Sequence, residues 1–175
     1  VGDSEVSHIL ASCALAMCEG EMRQIRLRNQ LPDGVKVYLD IIEKKTGARL
    51  DRLISYGITT AEAKSGYGLS TESEIMQLEI IKGLNETHSI ELVPTFLGAH
   101  EVPDEFRNNR QEYIDLIINE MLPLVTKRKL AQFCDVFCEE SVFTIDESRR
   151  IQEAAKKLGL GLKFHADELK STGGA

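Results

Sequence analysis

From residue 50 onward, apolar and polar positions switch between a strand period and a helix period. Ile58 to Lys64 reads as a strand, with Gly57 before it and Ser65-Gly66-Tyr67-Gly68 after it. Thr71 to Glu74 matches the S/T-x-x-E capping box, and Ile75, Met76, Leu78, Ile80, Ile81 and Leu84 give the helix behind it a broad apolar side. Ile90 to Gly98 is a second strand, almost continuously apolar around Pro94. Ile114, Ile117, Ile118, Met121 and Val125 mark another amphipathic helix, whose last turn Pro123 is expected to bend. Gln132 to Cys138 is a third strand, and Thr144 to Glu147 is a second capping box ahead of Ile151, Ala154, Ala155 and Leu158. Leu160 to Phe164 is a fourth strand. Strands apolar on both faces, alternating with capped helices, predict right-handed βαβ units and a parallel sheet. The units share no sequence self-similarity, which argues against a solenoid.

Chemically capable residues follow each strand: Lys64 and Tyr67, His100 and Glu101, Glu139 and Glu140, His165 and Glu168. In a (β/α)8 barrel the C-terminal strand ends form the active-site face, so four such ends in a row favour part of a barrel over a doubly wound sheet. Gly66-Tyr67-Gly68 is too short for a dinucleotide fingerprint, and no Walker A loop is present. His165-Ala166-Asp167-Glu168 is the most informative stretch. A buried strand that runs into a histidine with acids behind it presents a metal ligand and a proton-handling carboxylate together.

A chain of 175 residues can bury one substantial core. Its net charge of -7 argues against a nucleic-acid footprint. No apolar run is long enough to span a bilayer, so no membrane partner is expected. Ile9 to Met17 is apolar, but Asp3 and Glu5 precede it in place of a basic segment, and no signal peptide is read there. The four cysteines, Cys13, Cys18, Cys134 and Cys138, form no CxxC pair. Cys134 and Cys138 lie four apart on one strand, too far for a disulfide, and are expected as buried free thiols in the cytoplasm. His88, in a polar helix-to-strand loop, is expected to be solvated.

Ala61-Glu62-Ala63-Lys64-Ser65-Gly66-Tyr67-Gly68-Leu69 resembles a segment of the imidazolonepropionases, amidohydrolases of histidine breakdown. Pro94 to His100, Asp135 to Glu140, His165 to Glu168 and Gly173-Gly174-Ala175 resemble further family segments in the same order. The resemblance runs from about Leu50 to the last residue. It implies a partial (β/α)8 TIM barrel of the metal-dependent amidohydrolase type, roughly strands 2 to 5 with their helices. Residues 1–49 are expected as a divergent N-terminal segment and residues 50–175 as the partial barrel.

The resemblance also implies a reaction. Family members hydrolyse the cyclic amide of 4-imidazolone-5-propanoate to N-formimidoyl-L-glutamate with metal-activated water, using one zinc or iron ion. It assigns His165 as a metal ligand, Glu168 as the catalytic proton carrier and a substrate contact, and Tyr67 and His100 as substrate contacts. Lys64 is not expected to bridge metals, and Asp167 is expected to have no role at the site. The family's HxH motif is not intact around His8, which is followed by Ile9 and Leu10, and Cys18 falls near the place of a substrate-binding arginine. The chain is therefore expected to be a fragment, also homo-oligomeric, that holds no stoichiometric metal and does not turn over alone. Two other readings are a different cyclic amidohydrolase, such as one acting on hydantoins, and a non-catalytic half-barrel that self-associates.

Overall fold

The computed structural model describes residues 45–171, 173 and 174. The expectations for His8, Cys13 and Cys18 lie outside these residues. A helix α1 covers residues 45–55. It is followed by β1 (Thr60–Lys64), α2 (Thr71–Thr87), β2 (Glu91–Ala99) and a 3-10 turn, Asp104–Phe106. Helix α3 (Arg110–Leu116) runs through a π-helical turn, Ile117–Met121, into α4 (Leu122–Lys127). Then come β3 (Phe133–Cys138), α5 (Ile145–Lys157), β4 (Gly161–Leu162) and β5 (His165–Ala166).

The sheet is parallel throughout, in the order β1-β2-β3-β4, with β5 also on β3. Neighbours in space are neighbours in sequence, as successive βαβ units of a barrel require. The sheet curls into a half-barrel, which bears out the expected fold class. β4 and β5 are one strand in two pieces: Leu162 pairs with Cys134 and His165 with Phe137, three residues on along both chains. His165 therefore lies within the strand line, one step further in than the sequence reading placed it.

Alternate strand residues face opposite sides. Phe96, Cys134 and Val136 turn outward into the main core with Leu78, Tyr113, Ile114, Ile117, Met121 and Ile151 from the helices. Leu50 of α1 packs with Ala61, Leu84, Ile90 and Leu92 in a second cluster. The other face, carrying Glu62, Lys64, Thr95, Asp135, Lys163 and His165, is linked by polar contacts.

Two local readings are corrected. Thr71 does not cap α2: Ser70 does, accepting from Ser73 N–H, while the Glu74 carboxylate turns to the amides of Gly68 and Leu69. His88 is not solvated: its side chain is 13 % exposed, with Nε2 3.1 Å from Asp51 and Nδ1 accepting from Ile90 N–H. The Thr144 box forms with both reciprocal bonds. Ahead of Pro123 the helix widens into the π-helical turn Ile117–Met121, and the proline sits in the first turn of α4, where the position is tolerated. Cys134 and Cys138 are buried and free, as expected. No helix among the described residues is long and apolar enough to cross a membrane.

Candidate active site

The C-terminal strand ends gather the candidate residues on one rim. Tyr67 stands on the loop after β1, between Gly66 and Gly68. Gly66 has φ +126, and a Cβ there would come to 3.0 Å from the Leu97 carbonyl, so this loop needs glycine to pass so close to β2. His100 comes directly after β2. The register of β2 on β3 slips between Phe96 and Ala99, so three residues on β2 face two on β3. Such a bulge re-aims the residues beyond it. Gly98 lies in the bulge, where its carbonyl accepts from the buried Tyr113 hydroxyl at 2.8 Å and an added Cβ would overlap the Phe96 ring.

Tyr67 and His100 meet edge to face, with ring centroids 4.6 Å apart. His100 in turn lies 5.8 Å from the Phe137 ring, and Phe137 lies 6.1 Å from His165. Tyr67 and His100 thus form a direct pair, and His165 is one ring removed. The Gly66 carbonyl lies 3.1 Å from His100 Nδ1. A carbonyl only accepts, so Nδ1 carries a proton, and Nε2 is an acceptor when the ring is neutral and a donor when it is charged. Burial lowers the His100 pKa against the opposing pull of the Gly66 carbonyl.

His165 is 30 % exposed, and its Nδ1 lies 3.1 Å from Oδ2 of Asp135, a carboxylate only 1 % exposed. That hydrogen bond raises the His165 pKa against desolvation, and Glu168 adds to it. The Lys64 ammonium reaches the same carboxylate at 2.5 Å and lies 3.4 Å from Glu62. Burial alone would raise the Asp135 pKa, but the His165 hydrogen bond and the Lys64 charge outweigh it and hold the group below its ordinary value. Glu62 is held low in the same way: desolvation is overcome by Lys163 at 2.7 Å, by Thr95 and by Lys64. A chain of alternating charge thus runs Lys163, Glu62, Lys64, Asp135, His165 across the inner face of the sheet.

Glu168 is exposed, but its loop is tied down. The buried Glu139 accepts from the amides of Glu168 at 2.6 Å and Leu169 at 3.1 Å. Asp167 adopts φ 57 and its side chain accepts from Gly173 N–H, a local structural contact. A cleft of about 550 Å³ is lined by His100, Arg107, Arg110, Phe137 and Ser141, residues after β2 and at the end of and after β3. Of the four candidate residues it takes in His100 alone.

The sequence pattern marked Lys64 and Glu139 as residues after strands without their roles, and passed over Asp135. Asp135 had a visible signal, being the one charge inside the apolar run Phe133 to Cys138. The donor set can be weighed against a divalent ion. His165 fits one ligand position, because a buried carboxylate fixes one ring nitrogen and Nε2 has no partner among the described residues. No group of three or more His, Cys, Asp or Glu able to hold a metal occurs among the described residues. They supply one oriented ligand and do not by themselves make a metal site.

No family model matches the chain. Curated relatives do. An imidazolonepropionase of Alkaliphilus metalliredigens is 54% identical over 126 residues, covering 72% of this chain and 30% of its own length. That of Alkaliphilus oremlandii is 52% identical over 140 residues, covering 80% and 33%, and that of Geobacillus kaustophilus is 53% identical over 136 residues, covering 78% and 32%. The chain spans about a third of the length of these relatives. By sequence, this chain matches the imidazolonepropionase family as a partial chain, with the barrel strands and the rim described above as its visible structure.

Proposed function

We propose that this chain contributes one wall of an active site that hydrolyses the cyclic amide of 4-imidazolone-5-propanoate to N-formimidoyl-L-glutamate. The observation that carries the reading is the pairing of His165 with the buried Asp135 on the same rim as the Tyr67–His100 pair. The names of relatives about half identical in sequence support it.

An amide carbonyl is a poor electrophile and neutral water a poor nucleophile; a divalent zinc or iron ion, when bound, supplies the polarisation that corrects both. His165 is the residue here that would hold such an ion, through Nε2, with Asp135 setting its tautomer. Glu168 is read as the group that takes a proton from the ring N–H and delivers it during ring opening. Tyr67 donates its hydroxyl to the propanoate carboxylate. His100 reaches that carboxylate as the imidazolium, donating from Nε2 while Nδ1 stays on the Gly66 carbonyl. Arrival of the anion offsets the burial that otherwise keeps the ring neutral.

The partner in this reading is a small molecule, the location the cytoplasm, and the working form a homo-oligomer. Leu162 and Phe164 are exposed along β4 and β5, the last strand of the described sheet, an apolar edge of the kind that another barrel strand or another copy would cover.

The test is calorimetric binding of hydantoin-5-propanoate, a stable ring with the same carbonyl and side-chain carboxylate, against plain hydantoin. Preference for the propanoate, lost in His100→Ala, is expected. Equal binding of the two rings, or binding indifferent to His100, would favour the broader cyclic amidohydrolase instead.

A further inference from the structure

The loop that carries Tyr67 rests on a buried acid. Glu74 lies in the first turn of α2 and is 0 % exposed. The acid of a capping box stands third in the helix and returns to the cap, but Glu74 stands fourth. Here the cap is Ser70, and one oxygen of Glu74, Oε1, accepts from two consecutive amides, Gly68 at 2.7 Å and Leu69 at 3.0 Å. The contact leaves no slack: a Cβ on Gly68 would sit 2.7 Å from the backbone of Ser73 and Glu74.

The loop so held is not one the chain adopts unaided. Gly66 has φ +126 and Leu69 has φ 53, a left-handed conformation unfavourable for a leucine. These two residues bracket Tyr67. The Gly66 carbonyl is also the partner of His100 Nδ1. One loop conformation therefore sets the tyrosine ring and the imidazole together. Burying a carboxylate is costly unless its hydrogen bonds repay it, and here the two loop amides supply them. Burial pushes the Glu74 carboxyl above the usual carboxylate range against the pull of Ser65 and the nearby amides.

We propose that Glu74 is a positioning residue, which clamps the Gly68 and Leu69 amides so that Tyr67 stands edge-on to His100 in the arrangement that receives a carboxylate-bearing ring. This role rests on the reading of Tyr67 and His100 as substrate contacts. The same device recurs on the opposite side of the rim, where Glu139 accepts the amides of Glu168 and Leu169 with one oxygen. Two loops bearing candidate residues are each fixed by a buried acid from a neighbouring element.

The experiment is NMR on the isotopically labelled 175-residue protein and two variants, Glu74→Gln and Glu74→Leu. The readouts are the ring-to-ring nuclear Overhauser effect between Tyr67 and His100 and the amide exchange rates of Gly68 and Leu69. Wild type and Glu74→Gln, whose carbonyl oxygen still accepts, are expected to keep the ring contact and slow exchange. Folded Glu74→Leu is expected to lose the contact and to exchange at least about tenfold faster at both amides. A Glu74→Leu protein that keeps both overturns the proposal. If that variant does not fold, wild type decides: Gly68 and Leu69 amides exchanging as fast as open loop amides overturn the clamp, and protected ones support it. None of these readouts uses turnover or ligand. If the clamp holds while Tyr67→Phe and His100→Ala leave binding of hydantoin-5-propanoate unchanged, the substrate-contact reading falls and the proposed positioning role falls with it, whereas a failed clamp leaves that reading untouched.

Discussion

His165 Nδ1 lies 3.1 Å from Oδ2 of Asp135, and the Lys64 ammonium, reaching across β2, closes on the same oxygen. One carboxylate at 1 % exposure thus serves two side chains from two other strands. Asp135→Ala leaves the Lys64 ammonium, itself 9 % exposed, without its nearest countercharge. Breaking a buried pair from one side costs about 3–5 kcal/mol. Urea denaturation should show a loss of that size. The double variant Lys64→Met/Asp135→Leu should cost clearly less, because no charge is stranded. A single-variant loss under about 1 kcal/mol would mean that water reaches the pair.

Gly68→Ala tests the close approach beneath Tyr67. The added Cβ meets backbone atoms of Ser73 and Glu74 at 2.7 Å, and backbone cannot swing aside as a side chain can. A stability loss of about 1–3 kcal/mol is expected from the overpacking. Gly159→Ala, with open space around its Cβ but φ +86, is a control for backbone strain alone. Thermal melts that leave Gly68→Ala as stable as wild type would contradict the packing of this loop.

How much of this was legible in the sequence depends on the range of the interaction. The four strands were readable because continuous apolar runs report burial on both faces, and the first three fall within one or two residues of Thr60–Lys64, Glu91–Ala99 and Phe133–Cys138. The Thr144 box was readable because both partners lie in the same turn. Thr71–Glu74 has the same spacing and a different outcome, because Glu74 meets better donors in a loop folded against it. Pattern matching counts residues along the chain and does not see that competition. Tyr67, His100 and His165 were visible as residues that come after strands. Lys64 at a strand end and Asp135 inside an apolar run were visible too, but their pairing was not, since it joins residues 71 apart in the chain. The break at Lys163–Phe164 was hidden for a similar reason: the apolar run continues while strand pairing lapses.

Glu147 gives stability a pH dependence with a definite sign. Burial would raise its pKa, but the Arg110 hydrogen bond at 2.9 Å and the Thr144 cap outweigh it, so the folded value lies below the ordinary 4.5. An acid with a lowered folded pKa stabilises above its unfolded pKa and loses that contribution as pH falls through the folded one. Glu147→Gln should therefore melt lower than wild type at neutral pH, with the difference closing below about pH 4. A difference that stays constant from neutral to acid pH would show that the charge is not what Glu147 contributes.

Cys134 should be chemically silent. It is fully buried, and desolvation with the nearby Asp135 charge pushes its thiol far above the ordinary range. Only the thiolate attacks alkylating agents at a useful rate. Peptide mapping after iodoacetamide should find Cys134 unmodified in native protein and modified after unfolding. Prompt native labelling would mean that β3 opens readily from the sheet.

The measurement closest to the central claim is a titration of the labelled 175-residue protein with hydantoin-5-propanoate, monitored by NMR at every assigned side chain. If the rim is a shared site, the signals of Tyr67, His100, His165 and Glu168 move together along one binding curve. His100 should also take up a proton, its pKa rising from the lowered value of the free protein. Shifts confined to other surfaces, or none at these four residues up to the solubility of the ligand, would contradict the assignment of this rim as an imidazolone-binding wall.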